Sequence, residues 1–194
     1  MPITIREGRF ELEFADDWSV VLKWDDTPLY REGIGRLPGS KAVDILAYSR
    51  NRRRLLMLEV KDFRGHRIEN RPRIRDGELF DEVGCKVRDT IAGVRGAVRT
   101  RDRTAIAELA DKIATRVPLT VVLWLEEDRD ARALPRSHRG RHRGRLNTMT
   151  QALKRRVRWL TPQALVCARG GVSLEAKGID VRPCSGGSAS LPGG

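Results

Sequence analysis

The sequence reads as an α/β protein with a mixed central sheet flanked by helices, and three observations lead there. Two apolar runs, KAVDILAYS and RLLMLEVKDF, are joined by the short basic turn RNRRR at residues 50–54, which makes them an antiparallel pair. From about Glu78 to Arg99, apolar residues return every three or four positions, the period of an amphipathic helix. LTVVLWLEE is an unbroken apolar run of strand length, the pattern of a strand covered on both faces. An antiparallel start followed by strands separated by helices makes the sheet mixed.

In chain order, TIREGRFELEF alternates apolar and polar residues around Glu7-Gly8 and predicts two short paired strands. DWSVVLKWDDTPLY fits either a strand or a helical face, and GIGRLPGS has loop composition. After the strand pair, RGHRIENRPRIRDG is polar and contains Pro, so it is expected as a loop. The long helix carries Phe80, Val83, Val87, Ile91, Val94 and Val98 on one face. A second helix is expected over about 103–116, ended near Pro118. The stretch 128–146 is expected to be a long basic loop. Thr148 and Gln151 resemble a capping box that opens a helix through Trp159. QALVCAR is expected as the last strand, and SGGSASLPGG as a flexible tail. Residues 1–184 thus read as one domain and 185–194 as a tail.

The composition narrows the function. With 40% hydrophobic and 33% charged residues, the 194-residue chain can bury a core. No apolar run approaches the roughly 20 residues that span a membrane. The opening MPITIREGRF has no signal-peptide core, so a cytoplasmic protein is expected. Cys85, Cys167 and Cys184 are far apart with no metal-type spacing, which argues against structural zinc and for independent thiols. Thirty-eight Lys and Arg against 26 Asp and Glu give a formal charge of +12, which suits nucleic acid as a partner. Oligomeric state is left open, a dimer included.

Chemistry enters where the two best strands carry charge. Asp44 sits between Val43 and Ile45, and Glu59 between Leu58 and Val60. Positions 44 and 59 are nearly equidistant from a turn centred at about 52, so the acids should lie opposite one another. Lys61 shares the face of Glu59, two residues on. Two carboxylates side by side repel, and burial raises the cost of their charge. A divalent cation resolves both problems, and oxygen ligands suit Mg²⁺ or Mn²⁺. A cross-strand salt bridge through Lys61 accounts for the same residues without a metal.

Asp44, then Glu59-x-Lys61 on the next strand, then a long helix, resembles the PD-(D/E)xK nuclease superfamily over roughly residues 16–126. Val43 stands where that pattern often has Pro. The resemblance implies a restriction-endonuclease-like fold and a metal-dependent nuclease, with DNA before RNA as substrate, in defence or repair. It casts Asp44, Glu59 and Lys61 as catalytic, with Asp44 and Glu59 on the metal. An added upstream acid would come from Asp25, Asp26 or Glu32, with the KWDD stretch favoured.

Two further basic features fit this reading. Glu82, Lys86 and Asp89 form one strip of the long helix, placed nearly opposite its apolar face. Lys86 could touch phosphate or support the acids, or the strip could be an ordinary exposed salt-bridged face. Arg139, Arg141, Arg143 and Arg145, with His138 and His142 between flexible glycines, suggest an arm gripping a nucleic-acid backbone. The competing functions are a non-catalytic nucleic-acid-binding protein and a toxin-like or assembly partner.

Overall fold

The computed structural model describes residues 1–100, 104–128, 133–169 and 174–184. The 185–194 tail and the 129–132 part of the basic stretch lie outside them.

The chain opens with the expected hairpin, β1 (Ile3–Glu7) and β2 (Phe10–Phe14). Its two-residue turn is served by Gly8, whose φ of 56° lies in the left-handed region that a Cβ disfavours. The ambiguous segment resolves into β3 (Val20–Lys23), a 3₁₀ turn at Trp24–Asp26 and the short helix α1 (Pro28–Arg31). Thr27 caps α1, accepting the Tyr30 N–H.

Next come β4 (Ile45–Ser49) and β5 (Arg54–Asp62). They pair antiparallel from Ser49 opposite Arg54 to Ile45 opposite Leu58, the register centred on the RNRRR turn. Two helices follow, α2 (Arg67–Arg75) and α3 (Glu78–Thr100), then α4 (Thr104–Ala114) and β6 (Leu119–Glu126). The chain continues with α5 (Arg136–Val157), β7 (Ala164–Cys167) and β8 (Ile179–Pro183).

The five-stranded sheet has the order β3-β4-β5-β6-β7 and is mixed: β3, β4 and β5 are antiparallel, while β5, β6 and β7 are parallel. A separate antiparallel sheet has the order β1-β2-β8. Strand alternation sends Leu46, Met57, Val121 and Leu123 into a core shared with α3, α4 and α5. Ile45, Leu56, Leu58 and Val122 point the other way, against Phe10, Leu12 and Phe14 of the small sheet. Covered on both faces, β6 is buried along its whole length, which explains its unbroken apolar run. Among the described residues, no helix is long and apolar enough to cross a membrane. Cys85, Cys167 and Cys184 are all free thiols.

Four expectations are corrected. The basic stretch is helical from Arg136, so Arg139, Arg141, Arg143 and Arg145 ride on α5. Arg is a good helix former, and Met149, Leu153 and Val157 bury the helix's second half, from which the turns extend back to Pro135. Thr148 is therefore inside α5 and caps nothing; its hydroxyl donates to the Gly144 carbonyl, four residues back. RGHRIENRPRIRDG contains α2 despite Pro72, because Ile74 packs on the core and Arg73 is bonded to α3. QALVCAR is not the last strand: β8 follows and pairs with β2.

Gly93 marks where α3 crosses the 24–34 segment. A Cβ there would lie 2.8 Å from Ile34 Cγ2 and 3.1 Å from Trp24 Cζ2. Trp24 is wholly buried, so the contact has little room to yield. Gly93→Ala should lower stability by about 1 kcal/mol, overpacking outweighing the helix-propensity gain. A thermal melt measures this, and an unchanged or raised midpoint would contradict it.

Candidate active site on the helix-facing side of the sheet

The β4–β5 register, continued one step, sets Asp44 opposite Glu59. Both share the strand face of Leu46 and Met57, so both point to the helical layer. Asp44 is reached by a backbone that α3 holds: Asp89 accepts the Lys41 N–H at 3.1 Å and Thr90 accepts the Val43 N–H at 3.0 Å. Asp44 Oδ2 then accepts the Val60 N–H at 2.7 Å, tying it to the strand that carries Glu59.

Lys86 bridges the two acids. Its Nζ lies 2.6 Å from Glu59 Oε1 and 3.4 Å from Asp44 Oδ1. Lys61 reaches the same Glu59 oxygen at 3.0 Å and Glu82 Oε1 at 2.9 Å. Arg73 of α2 completes the chain with 2.6 Å to Glu82 Oε2. Three carboxyl groups thus face three cationic side chains. The strip of Glu82, Lys86 and Asp89 therefore faces the sheet and not solvent, with Asp89 buried. At about 100° per residue, Leu79, Thr90 and Gly93 widen the buried face of α3 until the strip forms its border.

The carboxylates converge, but behind lysines: Glu59 is only 1% exposed, and its Oε2 has no hydrogen-bond partner. Burial, then the neighbouring Asp44 charge, pushes the Glu59 carboxyl up to about 7 against the pull of both lysines. Burial alone would lower Lys61 and Lys86; the surrounding carboxylates outweigh it and hold both ammoniums above their ordinary value. Burial works on Glu82 too, but Lys61 outweighs it and the carboxyl is lowered.

The upstream acids separate clearly. The 3₁₀ turn starts beside the site, with the Trp24 N–H donating to the Asp44 carbonyl at 2.9 Å. Asp25 is half-buried with Oδ1 unpartnered, and burial, then Glu7 and Asp44, raise its carboxyl to about 6. Asp26 instead turns outward to Lys23 and Arg31, and Glu32 is exposed. Glu7, at the end of β1, joins this acidic neighbourhood: burial and the Asp44 charge raise its carboxyl, while Lys23 sits 3.2 Å away. Nothing local in the sequence marks Glu7, because packing between the two sheets brings it in. Arg73 was hidden within the expected loop.

Asp44 and Glu59 are the pair able to hold a hard cation, and the unpartnered buried oxygen of Glu59 is a vacant donor of the right type. Among the described residues, no three carboxylate, imidazole or thiol groups are gathered closely enough to bind a metal by themselves. Two protein carboxylates completed by water and a substrate phosphate are a coordination that Mg²⁺ accepts.

The basic helix carries an ion pair of its own. Arg145 makes a two-pronged pair with Glu127, 2.7 Å on each arm. Arg139 donates to the Leu134 carbonyl, and Arg141 and Arg143 are exposed. Compared with protein-family models, curated proteins and solved structures, the chain matches none of them.

Proposed function

We propose that the protein is a metal-dependent nuclease that hydrolyses phosphodiester bonds in nucleic acid, with DNA the first substrate to test. The observation that carries this reading is the buried pair Asp44 and Glu59, which meet across β4 and β5 with one Glu59 oxygen unpartnered. A surplus of cations over the whole chain suits a polyanionic substrate. The resemblance to the PD-(D/E)xK superfamily rests on Asp44, Glu59 and Lys61. It is a reading of cytoplasmic action in defence or repair, where free thiols stay reduced.

Asp44 and Glu59 would hold Mg²⁺ or Mn²⁺, and Asp25 is the nearest candidate for a further ligand. When bound, such an ion lowers the pKa of a coordinated water and neutralises charge on phosphate. Lys61 is held as an ammonium by Glu59 and Glu82, so its part is to stabilise growing negative charge and not to accept a proton. Lys86 lies between the acids as their counter-charge, and a bound ion would compete with it for them.

Cleavage of single- and double-stranded DNA and RNA, with Mg²⁺, with Mn²⁺ and with EDTA, tests the proposal. Metal-dependent cleavage lost in Asp44→Asn supports it; binding without cleavage under every condition would overturn it. That second outcome has its own support, since Lys86 and Lys61 already supply counter-charge to both acids. It would identify a non-catalytic nucleic-acid-binding protein.

A further inference from the structure

Beside the acidic site, α2 and α5 enclose a groove. Two concavities, of about 530 and 280 Å³, meet at the ion pair of Glu127 and Arg145, which lines both. The α2 helix stands between the first of them and the site: Asn70 and Arg73 lie on its site side, where Arg73 meets Glu82, while Ile68, Arg71 and Arg75 line the concavity. On the α5 side, Leu134, His138 and Arg141 line the second.

The lining is basic and apolar apart from two carboxylates, Glu127 and Asp128, the latter accepting the Gly65 N–H. Arg75 pairs with Asp76 and Arg145 with Glu127, whereas Arg71 and Arg141 have no carboxylate partner among the described residues. The first turns of α5, with their positive dipole end, border the same space. Apolar groups stand among these charges: Ile68 is 87% exposed, Leu134 is half-buried, and the flat ring of His138 is exposed. Single exposed apolar residues are ordinary, but these three stand among arginines in concave surface.

A duplex offers such a groove little but phosphates, because its bases are stacked inside. A single strand offers phosphates for the arginines and flat base faces for Ile68, Leu134 and His138. We infer that this groove binds a single-stranded polynucleotide and delivers it beside the acids. The inference rests on the nuclease reading for its purpose, but its chemistry is independent of cleavage. The ribose of RNA and the deoxyribose of DNA share this chemistry, so both belong in the test.

The test is fluorescence anisotropy in EDTA, where no metal-dependent cleavage occurs. The probes are a labelled DNA strand, the RNA strand of the same sequence, and the DNA duplex. At moderate salt, at least one single strand should bind tenfold or more tighter than the duplex, and the tighter one names the sugar. The double variant Ile68→Ser with His138→Ser should weaken single-strand binding at least fivefold and leave duplex binding unchanged. Arg71→Ser with Arg141→Ser should flatten the slope of log affinity against log salt by about 0.7 for each phosphate that is no longer neutralised. Inorganic polyphosphate, which has charge but no bases, should compete poorly at equal charge. Equal or tighter duplex binding, unchanged single-strand binding by the Ile68 and His138 variant, or polyphosphate competing as well as oligonucleotide would each overturn the inference. Single-strand preference without any cleavage in Mg²⁺ or Mn²⁺ would sink the nuclease reading and leave the groove standing. Cleavage with duplex preference would do the reverse.

Discussion

At pH 8, Glu59→Gln should melt well above the wild type and cleave nothing. The Glu59 carboxyl is raised from 4.5 to about 7, chiefly by burial and then by Asp44. Below pH 4.5 it is protonated whether the chain is folded or not, so it costs nothing there. As pH rises towards 7 the unfolded chain ionises freely while the folded site resists, and the penalty is complete above 7. A glutamine amide imitates the protonated acid and escapes this penalty. The gain should be absent at pH 4 and on the order of 3 kcal/mol at pH 8. Lys86 keeps Asp44, and Lys61 keeps Glu82, so neither ammonium is stranded by the change. Millimolar Mg²⁺ should raise the wild-type midpoint and leave the variant's unmoved. Melts across this pH range check the prediction, and identical curves at pH 4 and 8 would show that Glu59 carries no buried charge worth relieving.

The two lysines should fail in different ways. Lys86→Met removes the cation that touches both buried acids, leaving Asp44 and Glu59 to face each other with Lys61 alone. Breaking a buried ion pair from one side is expensive, and a loss of roughly 3 kcal/mol is expected at pH 8, shrinking in acid as the carboxyls protonate. Lys61→Ala should leave the melt nearly unchanged, because Lys86 still holds Glu59 and Arg73 still holds Glu82. Its effect should fall on the cleavage rate, by about 10²–10³, with nucleic-acid affinity within about twofold. Single-turnover kinetics with a parallel binding titration separates the two. If Lys61→Ala cleaves normally while Lys86→Met is inert yet stable, the ammonium that serves the reaction is on α3 and not on β5.

The legible parts of this protein are those whose partners are near in sequence. A short turn fixes the β4–β5 register, so counting outwards from RNRRR is enough to set Asp44 against Glu59. The long helix declares itself through its own apolar period. Contacts from distant segments are silent by comparison. Glu7 enters the acidic neighbourhood from β1, and α2 holds its shape through Arg73 and Glu82 although Pro72 argues for a loop. Half of α5 is too polar to show an apolar face; it is helical because its other half is packed. The strip of Glu82, Lys86 and Asp89 looks exposed by composition, and only the three-dimensional neighbour explains why a helix buries it: the sheet opposite is charged as well.

The pairing of β2 with β8 joins residues near 10 to residues near 180. On a ribosome, the five-stranded sheet has all its strands once β7 emerges, but β2 must wait for β8 before its outer neighbour exists. Until then its backbone is an open edge, next to a face bearing Phe10, Leu12 and Phe14. Until β8 arrives, the small sheet that carries Glu7 is thus both sticky and unfinished. Such long-range pairing is slow by nature. A chain truncated before residue 179 should have its central strands, a small sheet left unlocked, and a strong claim on chaperones.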